Sequence, residues 1–282
     1  MADSRKAAVG IGPRRVFLQG ATASMSTAFQ AKVSKVARHD VVIRLTADGT
    51  PFDLEAGDYR GQAQAVVIPP TMQHSVVSSG PPLITLILHV IHPRFRMARA
   101  HLNDALTLMD AGSFAHLRAS MHDVCSGPAL LDSACDLMDA LLDVVLVDAK
   151  RVPPIDLRIP WVMRKLDVDI DYPFEQLAAD LGVSCSRLSH LFTQELGLSF
   201  RSYQIWARLR LAWELLVQRP DLSITEVAHI MGYADVSHFS RTFHNGLGFT
   251  PTMARDRNFV EIIGDGLPPG QHIPSDDEMI RA

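Results

Sequence analysis

Gly232-Tyr-Ala-Asp-Val-Ser-His-Phe-Ser-Arg-Thr-Phe-His-Asn-Gly-Leu-Gly-Phe-Thr-Pro251 is the better-marked half of an internal duplication, and its reading decides the fold. Just upstream, Phe174-Glu-Gln-Leu-Ala-Ala-Asp-Leu-Gly182 aligns with Ile224-Thr-Glu-Val-Ala-His-Ile-Met-Gly232, which carries Leu177, Ala178 and Gly182 onto Val227, Ala228 and Gly232 at an offset of 50. The offset then becomes 51, carrying Leu188 and Phe192 onto Phe239 and Phe243, and Gly197-Leu198-Ser199 onto Gly248-Phe249-Thr250. One residue has been added in the second turn.

Each copy has the parts of a helix-turn-helix: a short helix with a small alanine at the crossing point, a glycine for the tight turn, and a capped second helix. Ser184 and Asp235 stand where N-caps belong, so the second helices should begin near Cys185 and Val236. Leu188, Leu191 and Phe192 face inward in the first copy, and Val236, Phe239, Phe243 and Leu247 in the second. The opposite faces then carry Ser186, Ser189, His190 and Thr193, and Ser237, Ser240, Arg241 and His244. Both are polar and nearly free of acids, and almost every member can hydrogen-bond to a base edge or a phosphate. An ordinary solvated face explains any one of these residues, but not two such faces at equivalent positions.

The stretch Gly232 to Pro251 closely resembles the signature of the AraC/XylS family of regulators. Arg208-Leu-Arg-Leu-Ala212 and Leu215-Leu216 resemble that family's connector helix, and the likeness covers about a hundred residues. It implies that each recognition helix enters the major groove of double-stranded promoter or operator DNA, with the two about 34 Å apart on one face. By the same likeness Ser186, Ser189, His190, Ser237, His238 and Arg241 are the base readers, with Arg241 placed to grip guanine bidentately. Arg187, Thr193 and His244 are phosphate contacts. Two departures are visible: His244-Asn245-Gly246 replaces the usual basic residues, and Ala254 stands where an aromatic is common. A glycine inside a helix costs roughly 1 kcal/mol against alanine, so Gly246 should loosen the end of the second recognition helix.

The resemblance sets expectations for the whole chain. The fold is α+β in two domains: an N-terminal cupin-like β-barrel with flanking helices, and a C-terminal all-α double helix-turn-helix. Residues 1–13 form a flexible start, 14–96 a sensing β-domain, 97–150 a helical region for packing or dimerisation, and 151–154 a linker. Residues 155–260 are the DNA-binding domain, with helix-turn-helix units at about 174–196 and 224–247, and 261–282 a flexible tail. Strands are expected at Val41–Thr46, Gln64–Ile68, Ser75–Val77 and Leu83–Val90, and helices at Met97–Ala111, Phe114–Cys125 and Ala129–Ala149.

The β-domain resembles the sensing barrel of these regulators more loosely. A cupin metal site would pair His39 with a histidine two residues on, but position 41 is Val, so neither metal nor cofactor is expected. His39 and His74 become barrel-mouth residues that bond locally or line a pocket. Arg94, Arg96 and Arg99, with Arg14 and Arg15, form a basic grouping that could meet an anionic effector or pair with the abundant aspartates.

Composition narrows the classes. In 282 residues, 47% of them hydrophobic, there is material for two real cores. Net charge is −4, and 155–260 holds 11 Lys and Arg against 12 Asp and Glu, so a DNA surface must come from segregated charge. Three cysteines, Cys125, Cys135 and Cys185, make neither a disulfide framework nor a zinc knuckle and suit a cytoplasmic setting. No apolar run is long enough to span a membrane. Arg14-Arg15-Val16-Phe17-Leu18 followed by Gly20 to Ala28 looks like a twin-arginine export signal, against which stands its reading as a first β-strand. The favoured reading is a sequence-specific regulator, an activator that responds to a small-molecule effector or to dimerisation, partnered by DNA, RNA polymerase and a second copy. The rivals are a cupin-type metalloenzyme with an accessory helical domain, and an interaction protein that keeps the fold without binding DNA. No catalytic residues are assigned, since no nucleophile elbow, phosphate loop or paired-cysteine site appears.

Overall fold

In the computed structural model the described residues are 14–263, apart from 20, 21, 29, 30, 37, 38, 79, 81, 129, 248 and 257–259. The expected flexible start at 1–13 and most of the expected tail lie outside them. β1 (Arg14–Gln19) and β2 (Ala23–Ala28) form an antiparallel hairpin, so the arginine pair and the small residues that follow are built into a sheet. β3 (Ala31–Val36), β4 (Val41–Thr46), β5 (Phe52–Ala56), β6 (Tyr59–Ala63), β7 (Ala65–Ile68), β8 (His74–Ser78) and β9 (Leu83–Leu88) follow. With β10 (Thr107–Met109) and β11 (Val260–Ile263) they make two sheets, ordered β10-β7-β4-β9-β2-β1-β11 and β3-β8-β5-β6. Among the described residues every pairing is antiparallel except β1 with β11, which is parallel.

The cupin-like sheets do not close into the expected barrel. Among the described residues no strand of one sheet pairs with a strand of the other. A closed barrel has one interior, whereas β4 is buried along its whole length because it separates two cores. Its Val41, Ile43 and Leu45 join a cluster shared with the helices, while Val42 joins Phe52, Leu54 and Val76 between the sheets. In β5 burial alternates, the signature of a sheet with one face on a core and one in water.

The helices follow: α1 (Phe95–Leu102), a 3-10 turn (Ala111–Leu117), α2 (Arg118–Ser126) and α3 (Leu131–Val145). The expected helix Met97–Ala111 stops at Leu102 because Asn103 and Asp104 take left-handed φ of 47° and 57°. The chain then returns to the sheet as β10, paired with β7. The expected boundary at 96 therefore falls inside α1, and the region 97–150 is not purely helical. α3 buries Ala134, Leu137, Met138, Leu141, Leu142 and Val145 within its own chain and exposes Asp132, Asp136, Asp139 and Asp143.

Beyond residues 151–154, which have no regular structure, come α4 (Arg158–Val168), α5 (Phe174–Asp180), α6 (Cys185–Leu196), α7 (Phe200–Gln218), α8 (Ile224–Ile230), α9 (Val236–Leu247) and α10 (Pro251–Arg255). Two apolar clusters divide them. One runs unbroken from the large sheet through α1–α3 into α4–α6 and ends on α7 at Ala207; the other begins at Leu209 and holds α8–α10.

Candidate nucleic-acid interface

The two helix-turn-helix units are built alike down to individual hydrogen bonds. After α5, Val183 N donates to Ala178 O and Gly182 N to Ala179 O, both at 3.0 Å. After α8, Tyr233 N donates to Ala228 O and Gly232 N to His229 O, both at 2.9 Å. These are Schellman closures, and each needs a left-handed residue, supplied by Gly182 at φ 63° and Gly232 at φ 78°. The recognition helices then start on side-chain caps: Ser184 Oγ accepts from Arg187 N at 3.2 Å, and Asp235 Oδ1 from His238 N at 2.7 Å. α8 carries a full capping box, in which Ser223 Oγ accepts from Glu226 N and Glu226 Oε2 accepts from Ser223 N. That hydrogen bond from the Ser223 amide holds the Glu226 carboxyl below the usual carboxylate range. Ser223, Ser199 and Thr250 are caps that the sequence reading passed over, although Ser-x-x-Glu is written at 223–226.

All nine expected contact residues are exposed: Ser186, Arg187, Ser189, His190 and Thr193 on α6, and Ser237, His238, Arg241 and His244 on α9. Ser240 is half-buried. Thr193 Oγ1 donates to Ser189 O at 3.0 Å, so its proton is committed to the helix and only its lone pairs face outward. The His238 ring packs edge-on against Tyr233 with centroids 5.4 Å apart, which fixes its direction. Behind α9, Phe239, Phe243 and Phe249 form a chain of edge-to-face contacts anchored on Trp213. Of the expected inward residues Leu188, Leu191, Phe192, Phe239, Phe243 and Leu247 are buried, and Val236 is half-buried. Gly246 does not loosen α9. The helix continues to Leu247, and a Cβ at Gly246 would lie 2.4 Å from Leu209 Cδ1, so the glycine permits close approach to α7. Ala254 is buried in the same cluster.

The outward faces of both helices are free of acids. α9 contains no acid, and the sole acid of α6, Glu195, is turned inward against Arg96 of α1. Arg210 pairs with Asp167 at 2.6 Å and Arg208 with Asp171, fastening the α4–α5 segment to α7. Burial pushes the Asp167 carboxyl up while Arg210 pulls it down, and burial raises the Tyr203 phenol beside them.

The residues expected to meet an effector do not converge. His74 is buried with Nδ1 3.0 Å from Met72 O, and His39 is half-buried. Arg94 pairs with Asp143, and Arg15 donates to Val124 O and Gly127 O. Arg96 donates to Pro153 O at 2.6 Å as well as pairing with Glu195, and the Arg99 guanidinium lies over Gly197 at the end of α6. The Arg14 side chain lies outside the described residues. The basic grouping is thus dispersed into ties between elements, and the Arg96–Glu195 tie between the two halves of the chain has no signal in local sequence. His89 adds to that junction, with its ring 5.7 Å from Trp206 and Nδ1 3.2 Å from Asp40 Oδ1. Among the described residues no three His, Cys, Asp or Glu side chains gather as a metal site, and no helix is long and apolar enough to cross a membrane.

Residues 177–257 match the family model described as a helix-turn-helix domain. The transcriptional activator NphR of Rhodococcus sp is 33% identical over 122 residues, which is 43% of this chain and 36% of that protein. The arabinose operon regulatory protein of Escherichia coli (strain K12) is 32% identical over 127 residues, 43% of each. The chain therefore spans less than half the length of these curated relatives. The crystal structure of ToxT from Vibrio cholerae O395 superposes with a TM-score of 0.51 at 14% identity, covering 82% of this chain and 96% of that one. The whole two-domain arrangement, and not only its C-terminal third, is therefore a shared fold.

Proposed function

We propose that residues 177–257, which match the helix-turn-helix family model, are an AraC-type domain, and that the protein is a sequence-specific DNA-binding transcription regulator with no catalytic role. The observation that carries the proposal is the pair of exposed, acid-free faces on α6 and α9, held at equivalent positions by duplicated turns and caps. Ser186, Ser189 and His190 read one major-groove segment, and Ser237, His238 and Arg241 the next. Arg187 and His244 steady the helices on phosphate, and Thr193 accepts a hydrogen bond there.

The sheet domain supplies regulation, in answer to a small-molecule effector, and the chain acts in the cytoplasm as an activator beside RNA polymerase, as a homodimer. The relatives named as a transcriptional activator and an operon regulatory protein support this reading. The test is a selection of genomic fragments on the purified chain, followed by titration of the recovered fragments. Arg241→Ala should cost about 1–3 kcal/mol on fragments with guanine at the contacted position and flatten preference there. Arg187→Ala should weaken all fragments alike and lower the salt dependence. Recovery of no fragment at low salt would remove the reading.

A further inference from the structure

The two helix-turn-helix units are attached to the sheet domain in different ways. The first shares one continuous apolar cluster with the large sheet and α1–α3, and is tied to α1 by the Arg96–Glu195 pair. The second has its own cluster, which begins on α7 two residues after the first has ended, at Leu209 against Ala207. Past α10 the chain returns to the sheet domain: β11 lies parallel to β1, with Arg14, Arg15, Val16 and Phe17 opposite Val260, Glu261, Ile262 and Ile263. Ile263 packs on the shared cluster, and Phe17, its partner in register, is fully buried there. The unit that reads the second DNA segment is therefore held at both ends, by α7 before it and by an edge strand of the sensing sheet after it.

We propose that β11 is a strap through which the sensing sheet sets the orientation of the second helix-turn-helix unit. This rests on the DNA-binding reading above. A four-residue strand in parallel pairing at a sheet edge is a short, weak ladder, with few hydrogen bonds to break. It is also the outermost strand on β1, so nothing else in the sheet must move for it to leave. With the strap paired, both recognition helices are fixed to one rigid body, and the cost of ordering them on DNA is met in advance. With it unpaired, α8–α10 keep their cluster on the second half of α7 but are joined to the rest through that helix alone, and only the first segment is read by a helix fixed to the sheet domain. Any effector that alters the β1 edge thereby switches the protein between two-segment and one-segment binding.

The experiment uses the full chain in a Cys185→Ser background, with two probes cut from one selected genomic fragment: the intact fragment and a version with the second segment scrambled. Ile262→Pro removes a backbone donor from the strap. It should weaken binding to the intact probe at least tenfold, leave the scrambled probe within twofold, and raise amide exchange in β1. Val16→Cys with Ile262→Cys, which are opposite in register, allows the strap to be closed by oxidation. The oxidised form should keep full two-segment binding, which separates strap loss from misfolding of the proline variant. The strap is refuted if Ile262→Pro binds the intact probe within twofold of the unaltered chain, or if oxidation abolishes two-segment binding and reduction restores it. An unaltered chain that binds neither probe instead refutes the DNA-binding reading.

Discussion

The junction between the sheet domain and the first recognition helix should show its energy in a double-substitution cycle on Arg96 and Glu195. Their side chains are 21% and 10% exposed, and Nη2 and Oε2 lie 2.8 Å apart without the alignment of a hydrogen bond, so the attraction is Coulombic. At an effective dielectric near 20 the gross term at that distance is about 6 kcal/mol, much of it cancelled by desolvation of both groups. Removing one partner leaves the other buried and unmatched, at a typical cost of about 3–5 kcal/mol. Because a fifth of the Arg96 side chain reaches water, Arg96→Met should fall at the low end, near 3 kcal/mol. Glu195→Leu leaves Arg96 with Pro153 O but no charge partner and should likewise cost about 3 kcal/mol. The double variant Arg96→Met with Glu195→Leu replaces the pair by apolar contact and should recover to within about 1 kcal/mol of the parent. Urea unfolding followed by tryptophan fluorescence, with a common slope across the set, measures the four corners. A coupling below about 0.5 kcal/mol would mean that the pair does not join the two halves.

Three further outcomes follow from the geometry. Burial lowers the His92 imidazole from 6.5 to about 4, and its Nδ1 accepts from Arg94 N at 3.0 Å, so the fold holds it neutral. The unfolded chain binds a proton below pH 6.5; stability is therefore full above that pH and falls toward pH 4 by at most about 3 kcal/mol, a loss that His92→Gln should flatten in pH-dependent melting. Gly232→Ala meets no atom within 4 Å but must hold φ 78°, so it should cost about 1–2 kcal/mol in a denaturant titration, with Gly232→Asn costing less. Burial pushes the Cys125 thiol up to about 12, whereas Cys185 is exposed at the start of α6, so iodoacetamide should label Cys185 first, and bound DNA should slow that labelling.

The helix-turn-helix units were legible because their constraints are local. Turn glycine, cap and apolar spacing lie within a dozen residues, so 174–196 and 224–247 coincide with α5–α6 and α8–α9. β5 and β6 were missed because Phe52, Leu54 and Ala56 alternate with charged residues over only five positions, and Tyr59 to Ala63 is polar with a glycine inside it. The helix expected to run through Ala111 carried apolar residues at fair spacing, and only the left-handed pair Asn103-Asp104 ends it. Arginines 94, 96 and 99 read as one patch because they are close in sequence. One turn of helix sends them to α3, to the junction with α6, and over Gly197. Nothing in Val260–Ile263 announces a partner 245 or so residues earlier; the contact order of that pairing is beyond any local pattern.

The unbroken apolar cluster from the large sheet to Ala207 also bears on modularity. Cutting or grafting the chain at Arg151–Pro154, the natural place for a promoter-swapping chimera, would strip the packing from Ile159, Trp161 and Val162 and leave a sticky half-core on each piece. A graft joined within α7 between Ala207 and Leu209, and rejoined after α10 so that β11 stays on β1, would divide the protein where its own interior is already divided. It would exchange the second DNA segment alone, so a library of such hybrids would shuffle operators by halves.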